Sequence, residues 1–393
     1  MKALQQKKKR DCSRQAKVKE RKWWKPFRFL FYSFIGALTL IIMTLFIASA
    51  YSDLVSPEKF VVFAYLGLAF PILALLNVCF FIYWVILKKW HLIFILAVSF
   101  VACWIPFSHY CPIHLPTKSL PAENMIKVLS YNVMSFAYTN HSTRSPNKII
   151  EYIAQSDADI VCLQEYMVSS RPNLMSSKDI ADALPMYPYI AEIFLSSPQN
   201  LYYKYGLAVL SKYPITQSRK LDINSVYNGG SMHEINVHGK KITIFNNHLE
   251  SFKLTAEERT KYSEIFSLVN LELFDGLGGW IQQKLGQAFQ TRAKQAELIA
   301  HEIKEKNGYY TIVCGDFNDT PISYTHRMVQ GPLRDAFVDS GLGLGVSYNR
   351  NFFLFRIDHI FYSQSMQGFN CKVDTSIKLS DHYPIYCFLK MGE

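Results

Sequence analysis

The sequence predicts an α/β domain that follows a helical membrane region. Three observations lead there. Long apolar runs lie between Phe27 and Phe107, behind a strongly basic first segment. From about Lys118 onward, short runs with strand periodicity alternate with stretches of helical periodicity, the pattern of sheets covered by helices. Polar clusters recur there at or near the ends of the expected strands: Asn132, Glu165, His248, Asp316 with Asn318, and Asp358 followed by Asp381-His382.

The charge is confined to one end. Met1–Arg28 holds eight Lys and four Arg against Asp11 and Glu20, which is +10 of the chain's net +11. The rest is nearly balanced. A domain built to bind nucleic acid normally carries its own basic footprint. A nucleic-acid partner is therefore allowed but not favoured. A Lys/Arg-rich segment ahead of a first hydrophobic span holds that end in the cytoplasm, and contact with lipid headgroups is compatible with it.

Phe27–Ala50 exceeds the roughly 20 apolar residues needed to cross a bilayer. Phe60–Leu87 is a second candidate, and a membrane helix tolerates its Pro71 and Asn77. Leu92–Phe107 is the shortest, about 16 residues. Ala48-Ser49-Ala50 resembles a signal-peptidase site, but the long basic region, the long apolar stretch and the later spans argue against cleavage. The nearly neutral Ser52–Lys59 and the basic Lys88-Lys89 suggest tail in, first loop out, second loop in. A spanning third segment leaves the C-terminal domain on the non-cytoplasmic side; an interfacial one leaves it in the cytoplasm. The preferred expectation is a multi-pass protein of the cell (inner) membrane with an outward domain.

The eight cysteines show no zinc-knuckle spacing and no dense disulfide framework. Cys162 and Cys314 fall in apolar strand-like runs, where buried free thiols are ordinary. His109, Cys111 and His114 read as juxtamembrane loop residues rather than a metal cluster.

Residues 108–124, with Pro116 and Pro121, read as a linker, and 125–393 as one domain. Strands are expected at Ile126–Tyr131, Asp159–Gln164, Tyr205–Leu210, Met232–Val237, Lys241–Phe245, Tyr310–Cys314, Ile357–Tyr362 and Ile385–Leu389. Helices are expected at Asn147–Ala154 and Arg292–Lys306. Residues 252–290 form a helical insertion. Thr255 and Glu258 suggest a capping box opening one helix, glycines 276, 278 and 279 a break, and Trp280 to Phe289 a second apolar face. An αα-hairpin packed on the domain is favoured over a cap dipping towards lipid.

The polar clusters carry chemistry in combination. Gly315-Asp316-Phe317-Asn318-Asp319 follows an apolar strand; alone it could be a turn, and in a cleft Asp316 would accept or orient a water proton while Asn318 donates to a phosphoryl oxygen. An Asp holding the far nitrogen of an imidazole fixes its tautomer and raises its basicity. Asp358 is assigned to orient His382 in that way, and Asp381 to a metal. His359 supports its strand. Glu165 closes a run so apolar that an unpaired carboxylate would be costly to bury, so a metal is its expected partner. Asn132 and His248 each follow an apolar strand directly and are expected to face the same cleft. Carboxylate and amide oxygens suit Mg²⁺ or Mn²⁺ better than Zn²⁺.

In order and form, Ser-Tyr-Asn132, Leu-Gln-Glu165, Asn-His248-Leu, Gly-Asp316-Phe-Asn318, Asp358-His and Ser-Asp381-His382 resemble the endonuclease/exonuclease/phosphatase superfamily over about Met125 to Leu389. The resemblance implies a four-layer α/β sandwich, two mixed β-sheets flanked by helices, with the site at one edge. It implies that Glu165 binds Mg²⁺, that Asn132 supports metal or phosphate, that His248 contacts the phosphate or acts as acid, and that Asp316 or His382 is the base. Arg292 and Gln295 lie on the helix that usually follows the His248 strand. The expected activity is metal-dependent hydrolysis of a phosphate ester, in a lipid or small molecule. A tethered nuclease and a catalytically idle assembly domain are the alternatives. No protein partner is deducible.

Overall fold

The computed structural model describes the chain apart from residues 1, 121–122, 143–144, 172–173, 197–201, 224, 226–227, 253–273, 307, 351–354 and 393. The chain divides into two compact units, residues 1–49 with 69–104, and residues 50–68 with 105–393.

The first unit is helical. α1 (Lys2–Ala50) contains the stretch Pro26–Ala50, the described helix that is alone long and apolar enough to cross a membrane. α3 (Phe70–Ile86) and α4 (Trp90–Ala102) follow. They reach that length only when each is counted with its bent neighbour, α2 (Val62–Leu68) and α5 (Trp104–Tyr110) respectively. Inside the unit, Trp84 Nε1 donates to Thr39 Oγ1 at 3.0 Å, and Asn77 Nδ2 donates to the Leu73 carbonyl at 2.8 Å. Each of these donors thus finds an acceptor among apolar side chains, as burial requires.

The second unit is built on two six-stranded sheets. One has the order β11-β12-β1-β2-β4-β3, from β1 (Met125–Asn132), β2 (Ile160–Ser169), β3 (Tyr189–Ser196), β4 (Tyr203–Ser211), β11 (Met366–Val373) and β12 (Ile385–Met391). The other has the order β5-β6-β7-β8-β10-β9, from β5 (Ile215–Leu221), β6 (Gly229–Val237), β7 (Lys240–His248), β8 (Tyr310–Asp316), β9 (Arg334–Asp335) and β10 (Asp358–Tyr362). Each sheet is mixed, with one parallel pair, β1–β2 or β7–β8, among antiparallel neighbours.

Strand alternation explains the layers. Val128, Ile160 and Cys162 face inward with Ile242, Ile244, Ile312 and Cys314 of the other sheet, forming the central core. The intervening Leu129, Tyr131, Val161 and Leu163 face outward onto α6 (Lys148–Gln155) and α7 (Ser177–Ala183), through Ile149, Ile150, Ile153 and Ile180. Phe245 and Val313 of the second sheet meet Ala296, Ile299 and Val329 of α8 (Phe274–Lys306) and α9 (Tyr324–Gln330). The result is helices, sheet, sheet, helices. Cys162 and Cys314 are buried free thiols.

Local chemistry starts these helices. The Asn147 side chain accepts from the amides of Ile149 and Ile150, capping α6, and Ser176 with Asp179 closes a capping box on α7. α10 (Ala336–Ser340) is capped by Asp335.

One expectation is corrected. α8 runs without interruption from Phe274 to Lys306, through glycines 276, 278 and 279 where a break was expected. Glycine costs a helix only about 1 kcal/mol relative to alanine, and the buried Ala293, Ala296 and Ile299 further along the same helix offset it. The expected helix opening at Thr255 lies outside the described residues. The stretch expected to be a linker is partly built into the domain: Ile113 bridges Leu342, and the amide of His114 donates to the Gly341 carbonyl at 3.1 Å.

Candidate active site

The two parallel pairs deliver their C-terminal ends to one edge of the sandwich. β1 ends at Asn132, β7 at His248 and β8 at Asp316; β7 and β8 place His248 opposite Asp316, and β8 and β10 place Asp316 opposite Asp358. Asn132 Nδ2 spans the sheets, donating to Glu165 Oε1 at 3.1 Å and to Asp316 Oδ2 at 3.0 Å. Its Oδ1 accepts from the Met134 amide at 3.1 Å, so the face it turns to the carboxylates is its donor.

Glu165 reaches the edge because β2 is irregular there. The β2–β4 register breaks between Leu163 and Tyr166, and Glu165 has φ 50°. A bulge re-aims a side chain. The preceding Gln164 points between the sheets, donating to Asn246 Oδ1 at 2.7 Å and Ser130 Oγ at 3.1 Å. The glutamate side chain, 26 % exposed, is accessible from solvent, unlike Asp316 at 1 %.

Asp316 and His382 form the centre. His382 Nδ1 lies 2.8 Å from Asp358 Oδ2, and its Nε2 lies 3.4 Å from Asp316 Oδ2. His248 Nε2 is 3.7 Å from the same Asp316 oxygen and 3.8 Å from Glu165 Oε1. Asp316 Oδ1 accepts from the Asn318 amide at 2.9 Å, while Asn318, with φ 52°, donates its Nδ2 to the Leu249 carbonyl at 3.0 Å. Gly315 makes this turn possible: at φ 138° an added Cβ would lie 1.9 Å from the Asn247 carbonyl oxygen.

The charges follow from burial and proximity. Burial pushes the Asp316 carboxyl up to about 6, reinforced by the Asp358 charge and opposed by His382, His248 and the Asn132 hydrogen bond. Burial would lower His382, but the charges of Asp358 and Asp316 hold it well above the ordinary imidazole range. Burial lowers His248 against the pull of Asp316. Asp381 is half-buried beside His382 in sequence. Burial raises the Tyr205 phenol, and Glu165, Asp316 and Asp381 all add to the rise, so these three acids share one neighbourhood.

Every residue anticipated for the site except Asp381 is thus joined to another by a stated contact, and Asp381 shares their electrostatic surroundings. Two serine supports were not anticipated, and Arg292 and Gln295, singled out on the helix after the His248 strand, take up contacts of their own. Ser380 Oγ donates to the Asn132 carbonyl at 2.7 Å and accepts from the His382 amide at 3.1 Å. Ser347 Oγ accepts from the amides of Ile357 and Asp358. Arg292, wholly buried, donates to Asp319 at 3.2 Å and to the Glu250 carbonyl at 2.8 Å, and Gln295 accepts from the Glu250 amide at 2.9 Å, fixing the chain just beyond His248. A loop serine gives no signal in sequence; only the fold aims Ser347 and Ser380. The Nε2 of His359, expected to support its strand, is 3.0 Å from the Asp319 carbonyl.

Residues 129–382 match the family model described as Endonuclease/Exonuclease/phosphatase family. The chain belongs to this family. A second model, for a domain of unknown function, matches residues 28–110. No curated protein matches. Among solved structures, the chain is similar to an endonuclease/exonuclease/phosphatase from Bacteroides vulgatus, at 18 % identity and TM-score 0.47, covering 68 % of this chain and 100 % of that one. It is also similar to a humanized TDP2 from D. rerio, at 16 % identity and TM-score 0.46, covering 68 % and 99 %. Sphingomyelinase C from Streptomyces griseocarneus is similar at 16 % identity and TM-score 0.44, covering 67 % and 99 %.

Members of this family are usually metal-dependent, and the donor set at this edge can be tested against that. Glu165, Asp316, Asp358 and Asp381 supply hard oxygens, the donors a small divalent cation prefers. Among the described residues, two groups bring donor atoms within 4.8 Å of one another: Asp316, Asp358 and His382; and His326, Asp335 and His359. The first belongs to the site. In the second, His326 Nε2 is already 2.9 Å from Asp335 Oδ2, and His359 and His326 pack against Phe361. The donor chemistry at the edge fits a hard cation.

Proposed function

We propose that this chain is a membrane-anchored, metal-dependent phosphoesterase that hydrolyses its substrate by in-line attack of water. The observation that carries this is the line Asp358–His382–Asp316, with Asn132, His248 and Glu165 around Asp316.

Asp316 is suited to take a proton from water. Its carboxyl, raised to about 6, is ionised at neutral pH yet more basic than an ordinary aspartate. His382, kept cationic by Asp358 and Asp316, would neutralise charge developing on the phosphoryl oxygens. His248 and Asn318 lie around the same carboxylate and would orient the phosphate. Asn132 holds Glu165 and Asp316 in mutual register. Glu165 and Asp381 would hold Mg²⁺ or Mn²⁺; Asn132, expected as a further ligand, turns its Nδ2 to Glu165 and Asp316 while its Oδ1 accepts from the Met134 amide, so it would support the carboxylates rather than ligate the ion. When bound, such an ion polarises the phosphoryl group and neutralises its charge.

The membrane attachment is supported by side chains that water would not tolerate. Phe29 is 70 % exposed, Leu75 64 % and Val101 77 %, on helices that are apolar around their circumference. Sidedness is supported by the loop Ala50–Leu68, which packs with the catalytic domain. Ser52 Oγ reaches the Ile322 carbonyl at 3.4 Å, Arg327 pairs with Asp53 at 3.3 Å, and Tyr65 stacks edge-on against Phe289. If α1 crosses once into that loop, the chain returns to the same side before Ile105 after either no further crossing, with α3 and α4 re-entrant, or two. One crossing or three put the basic tail opposite the domain. A phosphate ester presented at or near that membrane face is the substrate class this favours, a phospholipid headgroup included.

The test is hydrolysis by the full chain in detergent or nanodiscs, with Asp316→Ala beside it. A phosphodiester, a phosphomonoester, plasmid DNA and phospholipid vesicles would be offered with Mg²⁺. Turnover that disappears in the variant is expected, with the preferred substrate naming the class. Preference for plasmid DNA would replace the lipid or small-molecule assignment with a nuclease. Equal rates in wild type and Asp316→Ala on every substrate would overturn the proposal.

A further inference from the structure

The end of α5 and the residues after it are hydrogen-bonded to the segment leading into the strand that carries Asp358 and to the 341–343 loop. Arg356, two residues before Asp358, is 2 % exposed. Its Nη2 donates to the His109 carbonyl, and its Nη1 to the Leu344 carbonyl at 2.9 Å and the Tyr110 carbonyl at 3.5 Å. Its guanidinium lies 4.2 Å from the Phe337 ring centroid. The His109 and Tyr110 carbonyls belong to the last turn of a helix, where unsatisfied carbonyls attract a cation. A rigid planar fork can hold several such oxygens at once.

A second route runs in parallel. Residues 112–114 pair with 341–343: the Gly343 amide donates to the Pro112 carbonyl at 2.8 Å, and the His114 amide to the Gly341 carbonyl at 3.1 Å. The same loop continues to Ser347. Its Oγ accepts from the Asp358 amide at 3.0 Å, and its carbonyl accepts from the Tyr383 amide, next to His382, at 2.7 Å. One loop therefore touches the chain after α5 on one side and, on the other, the Asp358 amide through Ser347 and the His382 ring through the adjoining Tyr348, at 5.1 Å between ring centroids.

We infer that His109–His114, where the chain leaves the last apolar helix, is a positioning element of the catalytic centre, acting through Arg356 and the 341–347 loop. Its role in turnover rests on the phosphoesterase proposal; its role in holding the pair does not. The segment is then more than a tether: how the chain enters from the membrane helps set the alignment of Asp358 with His382. Arg356 is a positioning residue, touching neither substrate nor reacting atoms. Removing its fork leaves three carbonyls and a buried loop without their shared donor.

The experiment uses the full chain in nanodiscs. Arg356→Gln removes the charge, Arg356→Lys keeps the charge but not the fork, and His114→Pro removes one backbone donor while leaving every buried side chain in place. Two quantities are read: kcat and KM per folded molecule, and amide hydrogen exchange in peptides covering residues 355–362 and 380–386. Expected are a fall in kcat on the order of 10- to 100-fold for Arg356→Gln with KM little changed, partial recovery in Arg356→Lys, and faster exchange around Asp358 and Tyr383 in both Arg356→Gln and His114→Pro. Should Arg356→Gln fail to fold, His114→Pro decides alone. Unchanged exchange in 380–386 with unchanged kcat, accompanied only by a lower melting temperature, would overturn the inference. A wild type without phosphoesterase activity would instead sink the proposed function, and the exchange measurement would still decide the positioning role.

Discussion

Asp358 Oδ2 lies 2.8 Å from His382 Nδ1, while the opposite ring nitrogen is 3.4 Å from Asp316 Oδ2. An imidazole held between two carboxylates in this way has its orientation and its charge set by one neighbour and offered to the other. Asp358→Asn keeps the volume and removes the charge. The expected result is a loss of kcat of about 10²- to 10⁴-fold with an unchanged circular dichroism spectrum. Activity within about twofold of wild type would remove Asp358 from the machinery.

Glu165 is a partly exposed carboxylate of the site. Chelation should abolish hydrolysis, and Mg²⁺ or Mn²⁺ should restore it. In Glu165→Gln the metal concentration giving half-maximal rate should rise by at least about tenfold. Calorimetric titration of Mg²⁺ into both proteins checks the same point without turnover.

His233 gives a pH dependence remote from the catalytic edge. Both ring nitrogens meet serine hydroxyls, Ser218 at 2.8 Å and Ser231 at 2.9 Å, and burial lowers its pKa from 6.5 to about 4. The unfolded chain takes up this proton below pH 6.5, while the folded one does not until about pH 4. Stability is therefore complete above 6.5 and is lost as pH falls towards 4, by roughly 3 kcal/mol from this residue. Thermal unfolding of His233→Gln should show a smaller difference between pH 7.5 and 4.5 than wild type; equal differences would contradict the assignment.

Gly315→Ala places a Cβ 1.9 Å from the Asn247 oxygen at a backbone angle reserved for glycine. Neither strand can retreat without disturbing His248 or Asp316, which β7 and β8 hold side by side. A destabilisation of roughly 3 kcal/mol or more is expected, read as a fall in the melting temperature. A variant of native stability would mean the two strands separate more easily than their register suggests.

Tags at the two ends test the crossing number. With one crossing or three an N-terminal tag and a C-terminal tag lie on opposite faces, so sealed vesicles should protect one from protease and expose the other. Protection of both or neither would require an even number of crossings.

Much of the fold was legible because burial on one or both faces imposes a period. The expected strands, from Ile126–Tyr131 to Ile385–Leu389, each coincide with an observed one, Asp159–Gln164 and Ile357–Tyr362 beginning one residue early. β3, β5, β9 and β11 were not anticipated. They lie at or near sheet edges, where half the burial is missing: β5 leaves most of ITQSRKL exposed or half-exposed, and β9 has two residues. The continuity of α8 through its glycines was not legible either, since packing along the rest of the helix decides it.

The chain's own order of residues determined the chemistry available: carboxylates, imidazoles and amides at strand ends, and positive charge gathered at one end beside apolar runs. Those follow from residue type and period, which are local. The tertiary structure alone decided which of these groups meet. The bulge that turns Glu165 to the edge, the carboxylates of Asp316 and Asp358 on either side of His382, and the grip of Arg356 on His109 and Tyr110 join residues from 24 to 247 positions apart. Such contacts depend on how two sheets stack and on which side chains lose water together, and no local pattern encodes that.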